Sequence, residues 1–136
     1  MTGPETIWEA INGLRAERIG HGISCIGDPR LIEYLRTTGL PLEVCPTSTV
    51  RTRQVPVIAA HPLPRRLDAG ICVTLNSDDL PMLGTSLTGE YRIAPEVFGL
   101  TPAAIAELAR NGVRASFLDS GDKQAILAEI DDVSQP

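Results

Sequence analysis

Three short apolar runs, each followed by polar residues and then by a helical repeat, set the rhythm of this chain. The clearest run is Ile71–Leu75, held between Gly70 and the tetrad Asn76-Ser77-Asp78-Asp79. It is rich in β-branched residues, and a run of that kind that stops at polar residues predicts a buried parallel strand ending in a loop. Leu42–Cys45, closed by Pro46, predicts a second strand, and Arg18–Gly22 contains a third, short strand end. Helical periodicity fills the intervals. Thr2 to Leu14 reads as a helix capped by Thr2, with Pro4 in its first turn and Ile7, Ala10, Ile11 and Leu14 on one face. Asp28-Pro29 opens a helix to about Thr38, with Leu31, Ile32 and Leu35 inward and Gly39 as its stop. Thr47 to Ala60 is polar, contains Pro56, and predicts a long irregular loop. His61-Pro62 begins a short helix to about Ala69. Thr85 to about Phe98, Pro102 to Ser116 and Asp122 to Asp131 are helical, with Gly99, Thr101-Pro102 and Ser120-Gly121 between them.

Strands that alternate with helices predict parallel βαβ units. His21 and Cys45 are 24 residues apart, and Cys45 and Asp78 are 33 apart, which are spacings of successive βα units. In a parallel sheet the strand C-termini share one edge. His21 and the pair Asp78/Asp79, distant in sequence, can therefore meet there.

Composition narrows the field. The chain has 136 residues, enough for one domain or part of one, with 43% apolar and 21% charged residues. A net charge of −5 argues against nucleic acid or an anionic membrane as the main partner. The one mildly basic patch, Arg51, Arg53, Arg65 and Arg66, reads as a solvated face. Three cysteines, Cys25, Cys45 and Cys72, with no C-x-x-C, suit buried thiols in a reducing cytoplasm. No apolar run approaches the ~18 residues of a membrane span.

A histidine with two aspartates at strand ends is a fragment of a zinc-hydrolase donor set. The structural alternative is that His21 ends a strand and Asp78/Asp79 cap the next helix. His61, before Pro62, reads as a helix-start residue, and Cys45 and Cys72 read as packing residues. Glu43 is a carboxylate inside a strand, and an arginine from a neighbouring loop is its expected partner. No H-x-E with P-C-x-x-C, no G-x-G-x-x-G after a strand and no Walker loop is present.

Three ordered blocks carry a resemblance: Arg18-Ile-Gly-His-Gly22, Leu42-Glu-Val-Cys-Pro-Thr-Ser48 and Val73-Thr-Leu-Asn-Ser-Asp-Asp79. Pro81-Met-Leu-Gly-Thr-Ser-Leu87, Glu90-Tyr91, Arg110-Asn111 and Ala115-Ser-Phe-Leu118 extend it. The chain resembles the adenosine deaminase family from about Gly3 to Ile130. That resemblance implies an α/β fold: a partial (β/α)8 TIM barrel, its last three parallel βα units plus closing C-terminal helices. It implies a zinc-dependent release of ammonia from a 6-aminopurine nucleoside or base. Asp78 matches the family's aspartate ligand to Zn2+. Asp79 matches the aspartate that contacts a purine ring nitrogen. His21 matches the histidine that orients the attacking water and helps to remove its proton.

The family also supplies a His-x-His pair, a further histidine and a His-Ala-Gly-Glu block, and none of these is in the sequence. Its only histidines are His21 and His61. Leu80, Leu83 and Thr49 stand where the family commonly has Pro, Phe and Asn. The chain is thus expected to be a C-terminal fragment over residues 1–136, inactive alone. Its open sheet edges predict association with itself or with an N-terminal half. The alternative function is a non-catalytic partial-barrel module that associates in that way. A third reading is a self-contained α/β domain of another family.

Overall fold

The structure, a computed structural model, describes residues 3–134. Helix α1 (Pro4–Asn12) leads to the two-residue strand β1 (Ile19–Gly20) and a 3-10 turn at Ile23–Gly27. Helix α2 (Pro29–Thr38), β2 (Leu42–Val44) and α3 (Pro46–Arg51) follow, then a 3-10 turn at Ile58–Ala60, α4 (Leu63–Asp68) and β3 (Val73–Leu75). Four helices close the chain: α5 (Leu80–Leu83), α6 (Leu87–Phe98), α7 (Pro102–Ala115) and α8 (Ser120–Ser134).

The sheet is parallel throughout, in the order β1-β2-β3. Ile19, Leu42 and Val73 are in register, as are Gly20, Glu43 and Thr74, and Val44 pairs with Leu75. The expected parallel βα units are therefore present, and every strand C-terminus lies on one edge. Among the described residues, β1 and β3 are each paired on one side only.

Burial of the predicted apolar faces holds these units together. Leu31 and Leu35 of α2, Leu42 of β2, Leu63 of α4 and Val73 of β3 have no exposed surface. Each contributes roughly 1.5–3 kcal/mol by leaving water. Asp28 caps α2 by accepting from the Arg30 amide at 2.9 Å, and Trp8 Nε1 donates to its other oxygen at 2.9 Å, joining α1 to α2. The Asn111 amide of α7 donates to the Val73 carbonyl at 3.1 Å. Helix α8 packs on α7 and buries none of its own residues.

Several sequence expectations change. The expected Thr2 cap lies outside the described residues. Strand β3 is shorter than Ile71–Leu75, although the Cys72 carbonyl still accepts from Leu42 at 2.9 Å. The segment 47–60 is not all loop. Pro46 takes the first turn of α3, and the Thr49 and Thr52 hydroxyls donate to the Cys45 and Ser48 carbonyls, each at 2.8 Å. The Thr47 amide donates to Glu90 at 3.2 Å, so a long-range contact stabilises a helix that local propensity disfavours. The short α5 and the turn at Ile23–Gly27 are additions to the expected elements. The basic patch is not one solvated face: Arg51, Arg53 and Arg65 are exposed, but Arg66 is wholly buried beside Cys25. No helix of the described residues is long and apolar enough to cross a membrane.

Candidate metal centre

The sheet edge that ends β1, β2 and β3 is where the predicted site residues gather. His21 immediately follows β1, and its amide donates to the Glu43 carbonyl of β2 at 2.8 Å. Cys45 is the residue after β2, and Asp78 lies three residues past β3. The backbone leaves extended geometry sharply at two of these points: His21 has φ 56° and Asp78 φ 60°. Neither is glycine, so each left-handed turn costs on the order of 1–2 kcal/mol. Gly22 continues the turn at φ 56°, and a Cβ there would sit 3.0 Å from a Leu42 methyl group. That close approach explains the glycine after His21.

The side chains converge. His21 Nε2 lies 3.4 Å from Asp78 Oδ2. One donor atom each from His21, Cys45 and Asp78 lies within 4.8 Å of the others, a grouping suited to a metal ion. Gly20, His21, Glu43, Cys45, Asn76 and Asp78 line a concavity of about 220 Å³ over this edge. Ser48 Oγ donates to Asp78 Oδ2 at 2.6 Å, and the Asp79 amide donates to Oδ1 at 2.9 Å. The Ser48 bond is the main reason that the Asp78 carboxyl titrates below its ordinary value; the Asp79 amide and His21 add to it. Burial pushes the Cys45 thiol up to about 12, aided by the negative charges of Asp78, Glu90 and Glu43. Among the described residues, His21 Nδ1 is buried with no hydrogen-bond partner.

Asp79 sits beside this group but does a different job. Its Oδ1 accepts from the Met82 amide at 3.0 Å and caps α5. The capping alternative read from the sequence therefore holds for Asp79, whereas Asp78 faces the imidazole. His61 is a helix-start residue, as expected. It is 3% exposed, its Nδ1 accepts from the Leu63 amide at 3.1 Å, and burial pushes its pKa down to about 4. Glu43 has its arginine: Arg18 Nη1 is 3.3 Å from Glu43 Oε1, and the same guanidinium lies 4.2 Å above the Phe117 ring.

Two participants were missed in the sequence. Ser48 is in the quoted Cys-Pro-Thr-Ser block, but its bond to Asp78 requires α3, which the expected loop did not contain. Cys45 was read as packing inside a strand; it is 6% exposed, yet one position past β2 and in the donor group. An imidazole nitrogen, a sulfur and a carboxylate oxygen on a solvent-open concavity are a donor set that fits a borderline divalent cation.

A parallel βα sheet with these donors at its strand ends has the layout of a metal-dependent hydrolase barrel. The Adenosine deaminase family profile matches residues 1–133, and the chain belongs to that family. It is 52% identical over 130 residues to the aminodeoxyfutalosine deaminase of Streptomyces coelicolor, covering 96% of this chain and 34% of that one. The crystal structure of an adenine deaminase from Arthrobacter aurescens superposes with TM-score 0.94 at 36% identity, over 96% of this chain and 40% of that one. A Burkholderia ambifaria amidohydrolase with bound Zn shares the fold, with TM-score 0.88 at 21% identity, over 98% of this chain and 37% of that one. The fold is thus part of a (β/α)8 barrel, and the family and its neighbours are deaminases and amidohydrolases. The chain spans about a third of the length of the first relative named.

Proposed function

We propose that this chain is the C-terminal part of a zinc-dependent purine deaminase, which exchanges the 6-amino group of its substrate for the oxygen of water and releases ammonia. The observation that carries this reading is the 3.4 Å approach of His21 to Asp78 at the strand C-termini, joined to the family's own motifs. Zinc, when bound, would supply a Lewis acid and lower the pKa of a water toward ~7. Asp78 is the residue of this chain that would hold it. Ser48 keeps that carboxyl anionic and fixes its orientation. His21 Nε2 would take a proton from the attacking water and orient it. Asp79 would contact a ring nitrogen of the purine, giving up or sharing its cap on Met82. The remaining ligands and the ring-protonating glutamate belong to sequence that these 136 residues do not contain.

The substrate is a 6-aminopurine nucleoside or base. The high identity to an aminodeoxyfutalosine deaminase favours a substrate of that type over adenosine or adenine. Three unpaired thiols support a reducing, cytoplasmic setting.

The test is a chimera in which this chain replaces the matching third of the Streptomyces coelicolor relative. With zinc, it is expected to release ammonia from aminodeoxyfutalosine faster than from adenosine or adenine. The 136 residues alone are expected to release none. A folded, zinc-loaded chimera without turnover on all three substrates contradicts the proposal, as does turnover by the isolated chain.

A second reading, a partial-barrel module that docks on itself or on an N-terminal half, is favoured by one observation. The unpaired side of β1 borders a concavity of about 550 Å³ that also includes α1 residues Ile7 and Ala10, while Leu14 and Phe117 are 81% and 72% exposed. Size-exclusion chromatography tests it. A dimer or larger species is expected, and a sharp monomer peak with cooperative melting counts against it.

A further inference from the structure

We propose that this chain, by itself, forms a three-donor site for a borderline divalent cation, with Cys45 Sγ as a direct ligand beside His21 Nε2 and Asp78 Oδ2. The inference shares with the deaminase reading Asp78 as a ligand, and it uses His21 in a different role. It assigns a ligand role to the thiol and, in the chain alone, to His21.

The geometry comes first. His21 Nε2 and Asp78 Oδ2 are 3.4 Å apart. That exceeds the ~2.7–2.9 Å of a charge-assisted hydrogen bond. It matches the edge of a tetrahedral shell, since bonds of about 2.0–2.2 Å to nitrogen and oxygen place those atoms about 3.4 Å apart. Cys45 Sγ lies within 4.8 Å of a ring nitrogen of His21 and of a carboxylate oxygen of Asp78. A metal–sulfur bond of about 2.3 Å would place it about 3.6 Å from each, a closure of at most about 1.2 Å, within reach of a side-chain adjustment. The concavity of about 220 Å³ leaves a fourth position open to solvent.

The surroundings agree. Ser48 and the Asp79 amide hold the Asp78 carboxylate in place, as partners of a ligating carboxylate do. Left-handed backbone at His21 and Asp78 is strain retained at the two points from which these donors project. On binding, the sulfur–hydrogen bond of Cys45 breaks, the proton passes to solvent, and the sulfur lone pair forms the bond to the cation. No oxidant or reductant takes part. Cys25 and Cys72 lie outside the donor group, so the thiol contribution is specific to one position.

Cobalt(II) tests this directly, because a thiolate ligand produces a near-ultraviolet sulfur-to-cobalt charge-transfer band. Titration of the 136-residue chain with Co2+ is expected to give that band at one ion per chain. Cys25→Ser and Cys72→Ser should keep it and Cys45→Ser should abolish it. Zinc affinity, measured by competition with a chromophoric chelator, should fall at least about tenfold in Cys45→Ser. Circular dichroism of metal-free Cys45→Ser establishes that the variant is folded. A folded wild-type chain without the band at saturating Co2+ overturns the proposal, as does a band that survives in Cys45→Ser. Ammonia release by the chimera depends on neither result, so the two readings fail separately.

Discussion

The two flanks of the sheet are built differently. On the β3 side, all three strand residues are buried, and α7 packs against them with Asn111 hydrogen bonded to the Val73 carbonyl. On the β1 side there are two strand residues, one of them exposed, and the broad concavity against α1. The candidate metal centre lies on the edge that joins the flanks, with Asp78 from the closed side and His21 from the open one. The difference teaches where stability and chemistry reside. The closed flank is sealed by apolar contacts with α7, whereas the open flank leaves His21 Nδ1 without a hydrogen-bond partner among the described residues; left-handed backbone marks the site on both sides, at His21 and Asp78.

Substitutions should separate these roles. The largest expected loss comes from the closed flank. Leu108 of α7 is 1% exposed, and Leu108→Ala should lower stability by about 2–5 kcal/mol in urea titration. A loss below about 1 kcal/mol would show that α7 does not seal β3. Next is the tie between α6 and α3. Glu90 has no exposed surface and accepts from the Thr47 amide and from Thr85 Oγ1, the latter at 2.6 Å. Glu90→Ala removes the acceptor of the Thr47 amide and the short bond from Thr85, at a cost of roughly 1–3 kcal/mol.

At the site the effect should appear in the pH dependence. Asp78 titrates lower in the folded chain than in the unfolded one, mainly through Ser48. Its contribution is present above the unfolded carboxyl value and is lost as pH falls through the folded value. Ser48→Ala should therefore shrink the acid-side loss of stability, while costing no more than about 1 kcal/mol at neutral pH. An unchanged acid limb would remove Ser48 from the account. The smallest effect belongs to the open flank: Arg18→Ala breaks a partly exposed pair with Glu43 and should cost at most about 1 kcal/mol.

Much of this arrangement was legible in the sequence because apolar periodicity and turn residues report local structure directly. The strands before Gly22, Pro46 and Asn76, and the helix from Pro29 to Thr38 stopped by Gly39 at φ 69°, follow from that signal. The meeting of His21 and Asp78 followed from parallel topology. What stayed hidden depends on distant partners. Helix α3 is polar and rich in β-branched residues, and Glu90, 43 positions from Thr47, helps to stabilise it. Without α3 there is no Ser48 bond to Asp78. Cys45 looked like packing because an apolar neighbourhood cannot say that a carboxylate lies across the strand end. Arg66 looked solvated because charge alone carries no burial signal.

In the proposed deaminase, Asp78 would hold the metal and Asp79 would contact the substrate. The most direct test is zinc content and ammonia release of the chimera carrying Asp78→Asn or Asp79→Asn. The account predicts that Asp78→Asn loses both zinc and turnover, whereas Asp79→Asn keeps its zinc and loses turnover. Full zinc occupancy with undiminished turnover in a folded Asp78→Asn chimera would contradict it.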